Sequence, residues 1–371
     1  MQPTKEPTRE YTAYSDTPWA FWDVLYARRS HRKYLPMEPS SELLDSLREV
    51  VSLSTGARGA RPDSIALVTE PGTVDRIKKR AYKGLVNKIN IWLARTPVSG
   101  FMLLVVDRVD VGAERPRELP LATMAMEDCV LWLAERGLGT CWLAGINAGE
   151  IMRVMGLEGE RTIPVAIPFG RAKPKVGGAD FDTVIYRTLS RKRKPLEDIA
   201  GLESDRSRYR VKEIPRERFS AAPVQDVRGL LERISGESGT GPNEEVPLDL
   251  AIDACLESAR IAPNGGNFQA WRFVAVRETS RLDKLALASG SAGGWRAAIV
   301  GAGATRRFES GLFDKPFWMI DVPIALSHIS LMAASMGCGV EVCVNGMDEG
   351  AVNELAGFAG GVRPVGVVGL R

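Results

Sequence analysis

Apolar and polar positions along this chain follow two periodicities, one typical of helices and one typical of strands. In the first half, Ser41 to Leu47 opens a helix, Phe101 to Val106 predicts a buried strand, and a helix from Leu121 ends at Gly137. The second half contains corresponding stretches: a helix from Leu248 to Ala259, a strand from Arg272 to Val276 and a helix from Ile324 to Met336. Together they predict an α+β fold with helices packed on a sheet.

The same landmarks recur in the two halves in the same order. They are Gly137 and Gly337, 200 positions apart, Pro164 and Pro364, also 200 apart, and Ser30 and Ser235, 205 apart. A chance similarity would not keep its register over such a distance, so the pattern indicates two tandem copies. We therefore expect an N-terminal extension (residues 1–18), a first half (19–196), a charged connector (197–226) and a degenerate, truncated second half (227–371).

Composition narrows the class of protein. The 371 residues are 44% hydrophobic and 26% charged, with a formal net charge of +3, which gives no argument for nucleic-acid binding. No run approaches the roughly 18 consecutive apolar residues of a membrane span, and the polar N-terminus does not resemble a signal peptide, so we expect a cytoplasmic protein. Five cysteines and two histidines without ligand spacing predict reduced thiols and no metal site.

Two short polar segments have the chemistry of a nucleotide pocket. Arg28, Arg29, Ser30 and Arg32 offer guanidinium groups and a hydroxyl that match phosphate oxygens, although a basic, solvated helix end would have the same composition. The turn containing Pro263, Asn264, Gly265 and Asn267 is dense in amide donors and carboxamides, although a plain loop with left-handed residues is the alternative. A basic run with Arg191 and Arg193 follows the last strand of the first half, where it could return to the phosphate or be solvated surface.

As a set, five motifs resemble the FMN-dependent nitroreductase family. They are Arg-Arg-Ser-x-Arg from Arg28, Ala-Pro-x-x-x-Asn-x-Gln-x-Trp from Ala262, Gly-Leu-Gly-Thr-Cys-Trp-Leu from Gly137, Pro-Val-x-x-Pro-x-Gly from Pro164 and Arg-Lys-Pro-Leu-Glu from Arg193. The resemblance covers most of residues 20–200 and 225–371. Each motif alone is weak, and the combination is specific.

The resemblance implies a nitroreductase-like fold in two tandem copies that form an intramolecular pseudo-dimer with one FMN per chain. It assigns the flavin phosphate and ribityl chain to Arg28, Arg29, Ser30 and Arg32 with Arg191 or Arg193. The second half would approach the flavin with Pro263, Asn264, Gly265 and Asn267, and backbone amides of Leu143, Ala144 and Gly145 would face its N5 edge. Because the family dimer would be fused, a monomer would suffice.

The implied activity is transfer of hydride from NAD(P)H through FMN to a small electron-poor acceptor, a nitroaromatic or a quinone, with no catalytic side chain required. The alternative is a protein that stores FMN under a cap formed by residues 58–63 or 290–307, without turnover. An enzyme acting on the flavin itself or on a halogenated phenol is a third possibility that no residue favours.

The symmetry-related second site departs from the family pattern. Arg233-Ile234-Ser235-Gly236-Glu237 places an acid where a phosphate would bind, Ser54 to Pro62 lacks the asparagine loop, and no second basic tail precedes Arg371. We therefore expect this second site to hold no flavin. A lone Gly301-Ala302-Gly303 with Arg306 in place of the third glycine does not predict a dinucleotide fold.

Overall fold

Two mainly antiparallel sheets organise the structure, and most strands of each sheet come from one half of the chain. The computed structural model describes residues 21–83, 86–157, 159–173, 193–202, 213, 226–236, 247–305, 316–358 and 360–371. The first sheet has the order β1-β5-β3-β2, and β4 also pairs with β5. Its strands are β1 (Tyr34–Leu35), β2 (Ile65–Val68), β3 (Gly100–Asp107), β4 (Leu138–Thr140) and β5 (Arg161–Ala172).

The second sheet has the order β6-β7-β8-β10-β9. Its strands are β6 (Ala200–Leu202), β7 (Trp271–Val276), β8 (Ala297–Ala304), β9 (Val340–Cys343) and β10 (Val362–Leu370). The order β7-β8-β10-β9 repeats the order β2-β3-β5-β4 of the first sheet, in chain sequence as well as in space. The two sheets are therefore built from the same succession of strands.

The strand β6 lies in the stretch that the sequence assigns to a connector. It pairs in parallel with β7, so a segment that follows the first half becomes an edge of the second sheet. A strand of three residues is too short to show a periodicity in the sequence. Residues 200–202 form a strand because they pair with β7, which is distant in the sequence.

Helices cover the sheets and fill the space between them. They are α1 (Phe21–Ala27), α2 (Ser41–Arg58), α3 (Pro71–Arg80), α4 (Arg108–Gly112), α5 (Glu118–Glu135), α6 (Ala148–Met155), α7 (Val227–Ser235), α8 (Leu248–Ile261), α9 (Thr279–Ala288), α10 (Trp318–Ser335) and α11 (Glu349–Ala356). Three-residue and longer 3₁₀ segments occur at 86–95, 196–198 and 265–267. The helices α5 and α10 have 18 residues each and begin 200 positions apart.

The helix α10 is long and apolar enough to cross a membrane by length and composition alone. All of it is buried inside the protein, where it packs on α8, α5 and the strands β8 and β10. A core helix that is covered on every side has the same apolar composition. It begins six residues before the predicted Ile324, and Pro323 lies inside it.

The helices α5 and α10 pack on each other across the middle of the molecule. His328 Nε2 lies 2.8 Å from Glu127 Oε1, and Ser327 Oγ donates to Asp128 Oδ1 at 2.6 Å. Residues 127 and 327 are equivalent positions of the two helices, as are 128 and 328. The contacts are therefore reciprocal, as in an interface with twofold symmetry, where residue i meets j and j meets i.

The strand β8 has antiparallel neighbours on both sides, β7 and β10. A dinucleotide-binding βαβ unit requires parallel strands joined by a crossover helix. The Gly301-Ala302-Gly303 sequence is therefore part of an antiparallel sheet, and the close packing of Val322 and Leu326 against Gly301 explains why a glycine is needed there.

Candidate functional site

The segment Arg28 to Arg32 follows α1, a short helix that buries Phe21, Trp22, Val24 and Leu25. Ser30 forms a bridge with Thr140 of β4, and the His31 amide donates to the Thr140 carbonyl at 2.8 Å. These bonds fix the segment against the first sheet. Arg28 is buried, whereas Arg29 and Ser30 are exposed. The Arg29 guanidinium donates to the carbonyls of Tyr26 and Arg28, which is the usual behaviour of a basic residue at a helix C-terminus.

The loop after α8 has a constrained backbone. Among the described residues, the non-glycine residues with positive φ are Asn267 (53°) and Gln269 (51°), and Gly266 between them and α8 also has φ of 53°. Two such residues in one short loop store strain that the surroundings must support. The Gln269 amide donates to Asn264 Oδ1 at 2.9 Å, so the Asn264 side-chain oxygen is used inside the loop.

Arg193 and Lys194, from the end of the first half, hold this loop at both of its ends. Arg193 donates to the carbonyls of Ala262 (2.7 Å) and Ile261 (2.9 Å) at the end of α8. The Lys194 amide donates to Gln269 Oε1 at 2.7 Å, and Lys194 Nζ donates to the Gln269 carbonyl at 2.8 Å. The basic tail is therefore not simply solvated surface, and it contacts the loop from the other half of the chain.

The arginines around the loop repel one another. Burial and the nearby cations Arg28, Arg260 and Arg29 together lower the pKa of Arg193 to about 9, with a smaller opposing effect from Asp321. Arg260 is compensated by a two-pronged ion pair with Glu257. The positive charge that remains on this side would be stabilised by a bound anion, because guanidinium groups pair with phosphate oxygens with favourable geometry.

The structure thus brings Arg28, Arg29 and Arg193 near the loop that contains Pro263, Asn264, Gly265 and Asn267. Pro263 is buried, whereas Asn264, Gly265 and Asn267 are partly accessible. Arg32 and Arg28 both act on Cys141, whose pKa burial raises and these two cations lower, so Arg32 belongs to the same neighbourhood. Arg191 lies outside the described residues.

In the segment Leu143 to Gly145, the structure corrects the expectation that the Leu143 backbone amide faces a flavin. The Leu143 amide donates to the Ala166 carbonyl at 3.0 Å, and its carbonyl accepts from the Ala166 amide at 3.1 Å. Leu143 is a paired sheet residue whose N–H is not available to a flavin. Ala144 and Gly145 are partly accessible, and the Gly145 carbonyl accepts from Asn90 Nδ2 at 2.6 Å.

Sequence reasoning missed a chain of hydrogen bonds that links Trp142, next to this segment, to α8, the helix that precedes the loop. Trp142 Nε1 donates a hydrogen bond to Glu127 Oε2 at 2.7 Å, and the other oxygen of Glu127 lies 2.8 Å from His328 Nε2. His328 Nδ1 in turn lies 3.2 Å from the Ser258 carbonyl of α8. Asp321, which accepts from the Gly265 amide at 2.8 Å, was also missed. The available signal was the presence of these polar residues in otherwise apolar helices.

The symmetry-related position on the other side of the molecule has a different character. Cavities of about 260 Å³ and 210 Å³ lie there, both lined by Leu121. The first is lined by Asp107, Asp110 and Glu118 together with Arg61 and Arg117, and the second by Glu341 together with Arg58. Arg61 pairs with Asp107 and Glu118, and Arg58 pairs with Asp128, so these two arginines already have acidic partners. Gly59 at φ 65° closes α2 in this region with backbone bonds alone, so residues 58–63 lie here and not over the loop that follows α8.

The chain is similar to known nitroreductases. Residues 116–221 match a family described as "Putative TM nitroreductase". No curated protein matches the chain.

Solved structures with similarity include a "putative nitroreductase" from Thermotoga maritima, with 13% identity, 99% coverage of each chain and a TM-score of 0.45. A nitroreductase family protein from Clostridium novyi NT is 18% identical over 42% of this chain and 86% of its own, with a TM-score of 0.35. An FMN-dependent nitroreductase from Clostridium difficile R20291 is 19% identical over 46% of this chain and 97% of its own, with a TM-score of 0.33.

Proposed function

We propose that this protein is an FMN-dependent oxidoreductase of the nitroreductase type, with one flavin per chain. Bound FMN would supply the redox chemistry, accepting hydride from NADH or NADPH and passing it to a small electron-poor acceptor such as a nitroaromatic or a quinone. The protein's own residues would bind and orient the flavin and its substrates. The proposal includes a cytoplasmic location, no role for nucleic acid or membrane, and a monomer as the functional unit.

The proposed architecture is a fused pseudo-dimer of two nitroreductase-like copies. Its support is the repeated strand order of the two sheets, the 200-residue offset between α5 and α10, and the reciprocal contacts of Glu127 with His328 and Asp128 with Ser327. In a symmetric dimer each pocket takes parts from both subunits. In this chain the first half would supply Arg28 to Arg32 and the second half the loop that follows α8.

The observation that carries the proposal is the convergence of Arg193, Arg28 and Arg29 beside the 262–269 loop. Ser30 is exposed and anchored to β4, so its hydroxyl can donate to a phosphate without leaving its strand bridge. Arg193 has two of its donors on the carbonyls of residues 261 and 262, and its charge faces the other arginines. The donor set therefore fits a phosphate group, and the loop places the partly accessible residues Asn264 and Asn267 beside it.

The test begins with FMN binding. Apoprotein titrated with FMN and with riboflavin, followed by flavin fluorescence, should bind FMN far more tightly because only FMN carries the phosphate. Equal affinity for the two flavins, or no binding of either, would contradict the proposal. The Arg28→Ala variant should lose the preference for FMN.

Turnover is tested with the loaded protein under anaerobic conditions. Addition of NADH or NADPH should bleach the flavin absorbance, and a quinone or nitroaromatic should restore it. A flavin that dithionite reduces but neither nicotinamide bleaches would identify a storage protein instead. The described parts of the expected caps do not favour storage, since residues 58–63 lie at the other side and residues 297–304 form a central strand.

A further inference from the structure

Asp321 stands out among the buried groups because it anchors the loop from a different element. It is the single acidic residue of α10, all of which the structure describes, and only 4% of its surface is exposed. Its Oδ1 accepts a hydrogen bond from the Gly265 amide at 2.8 Å. Phe317, just before α10, packs so closely on Gly265 that an added Cβ would lie 3.0 Å from its ring. The loop is therefore held by a side chain at Gly265, next to Gly266 and Asn267, whose φ angles are positive.

The corresponding position of the other half holds no such anchor. Leu121 stands 200 residues before Asp321, and the end of α2 is closed by backbone bonds from Gly59 and Ala60 to the last turn of the helix. Those bonds need no acceptor side chain. The acidic side chain is therefore present in α10, beside the strained 262–269 loop, and is replaced by a leucine at the equivalent position of α5.

The electrostatic surroundings of Asp321 combine opposing effects. Burial raises the pKa of this carboxyl to about 7, against the hydrogen bond from Gly265 and the charge of Arg193, both of which lower it. Arg193 is the charged group that faces it from the basic tail, and Arg28, Arg29 and Arg260 lie behind Arg193 from α1 and α8. The carboxylate form accepts the Gly265 hydrogen bond more strongly than the protonated acid does.

We infer that Asp321 is a positioning residue that fixes the 262–269 loop, and that protonation of its carboxyl group loosens this loop. The inference deepens the proposed function, because the loop forms one wall of the proposed flavin pocket. The contacts that support the inference, between Gly265 and the residues Asp321 and Phe317, do not involve flavin. The anchor can therefore be tested in the apoprotein, whatever the outcome of flavin binding.

The test measures amide hydrogen exchange of the peptide containing residues 262–269, corrected for intrinsic rates, between pH 5.5 and 8.5. In the unchanged protein, exchange should become about tenfold faster as the pH falls through 7. Asp321→Asn keeps an oxygen acceptor of the same shape and does not titrate, so its corrected exchange should not depend on pH. Asp321→Leu, which copies Leu121, should exchange fast at every pH. The β7 peptide, residues 271–276, serves as the internal control for global opening.

The same pH profile in the unchanged protein and in Asp321→Asn would overturn the inference, as would slow exchange in Asp321→Leu. Thermal unfolding of each variant shows whether the fold is kept, and the Asn variant decides the question if the Leu variant does not fold. FMN affinity is the second readout. At pH 8.5, Asp321→Leu should bind FMN about tenfold more weakly than the unchanged protein. If the unchanged protein binds no FMN, the proposed function fails, while the exchange data still decide the role of Asp321.

Discussion

Arg58 donates two hydrogen bonds to Asp128, from Nε to Oδ2 and from Nη2 to Oδ1, each at 2.8 Å. Both side chains are almost fully buried. The pair belongs to the first half, yet it contacts the second half twice, since Arg58 Nη1 donates to Ser330 Oγ at 2.8 Å and Asp128 accepts from Ser327. A buried pair that is fully hydrogen-bonded is costly to break, because the remaining charge has no partner.

Replacing Arg58 by Leu should therefore lower the free energy of unfolding by about 3–5 kcal/mol. Chemical denaturation monitored by far-UV circular dichroism measures this loss. The control is Arg48→Ala, which removes an exposed ion pair with Asp45 and should cost less than about 1 kcal/mol. Similar losses for the two variants would show that the Arg58 pair does not hold the halves together.

Stability should fall with increasing pH across the weakly acidic range. Burial raises the pKa of Glu135 from 4.5 to about 7, while a hydrogen bond from the Val227 amide and the charge of Arg136 act to lower it. The folded protein thus binds this proton more tightly than the unfolded chain, and the free energy of unfolding decreases as the pH rises from about 4.5 to about 7. The loss is about 1–3 kcal/mol.

Glu135→Gln keeps an acceptor for the Val227 amide and removes the titration. Denaturant midpoints measured at pH 5 and pH 8 should differ less in this variant than in the unchanged protein. The raised pKa of Asp321 acts in the same direction. The denaturant midpoint of a double variant with Asp321→Asn should therefore depend on pH even less. A steeper fall in Glu135→Gln would contradict the argument.

One flavin should bind per chain, because among the described residues Arg28, Arg29 and Arg193 converge beside the loop that follows α8. Arg28 lies in that cluster, whereas Arg233, its counterpart, donates to the Gly337 carbonyl. We expect the purified protein to hold one FMN per chain by absorbance, Arg28→Ala to hold much less, and Arg233→Ala to remain unchanged. A ratio of two, or equal loss in both variants, would show that the second site is functional.

Two glycine substitutions should have opposite effects. A Cβ at Gly369 of β10 would lie 2.3 Å from the indole of Trp295, whose Nε1 is held by Glu341. Gly369→Ala should therefore destabilise the protein by about 1–3 kcal/mol and shift the tryptophan fluorescence. Gly112 in the exposed helix α4 has no neighbour within 4 Å of an added Cβ, so Gly112→Ala should leave stability unchanged or raise it slightly. Thermal unfolding of both variants makes the comparison.

Much of the fold could be predicted from local pattern. The strand expected at Phe101 to Val106 is β3 with one more residue at each end, and the strand expected from Arg272 begins at Trp271. These segments are continuous apolar runs whose burial does not depend on an unusual partner. The helix α10 begins earlier than expected because Pro323 interrupts the sequence pattern but not the helix.

The parts that could not be predicted depend on distant partners. The strand β6 exists because β7 lies beside it, and the availability of the Leu143 amide is decided by Ala166. The charge cluster at Arg28 and Arg193 is visible in the sequence only as two separate basic runs. Their proximity follows from the path of the chain between the halves, which periodicity does not reveal.

The reciprocal contacts on the α5–α10 axis differ in chemistry, with Glu127 and His328 on one side and Asp128 and Ser327 on the other. In an assembly of identical chains, one codon specifies both members of an equivalent pair, so every mutation appears on both sides at once. Here the codons for positions 127 and 327 are separate and can diverge independently. Under the proposed tandem architecture, selection could therefore change one pocket without changing the other, while the packing between α5 and α10 is kept.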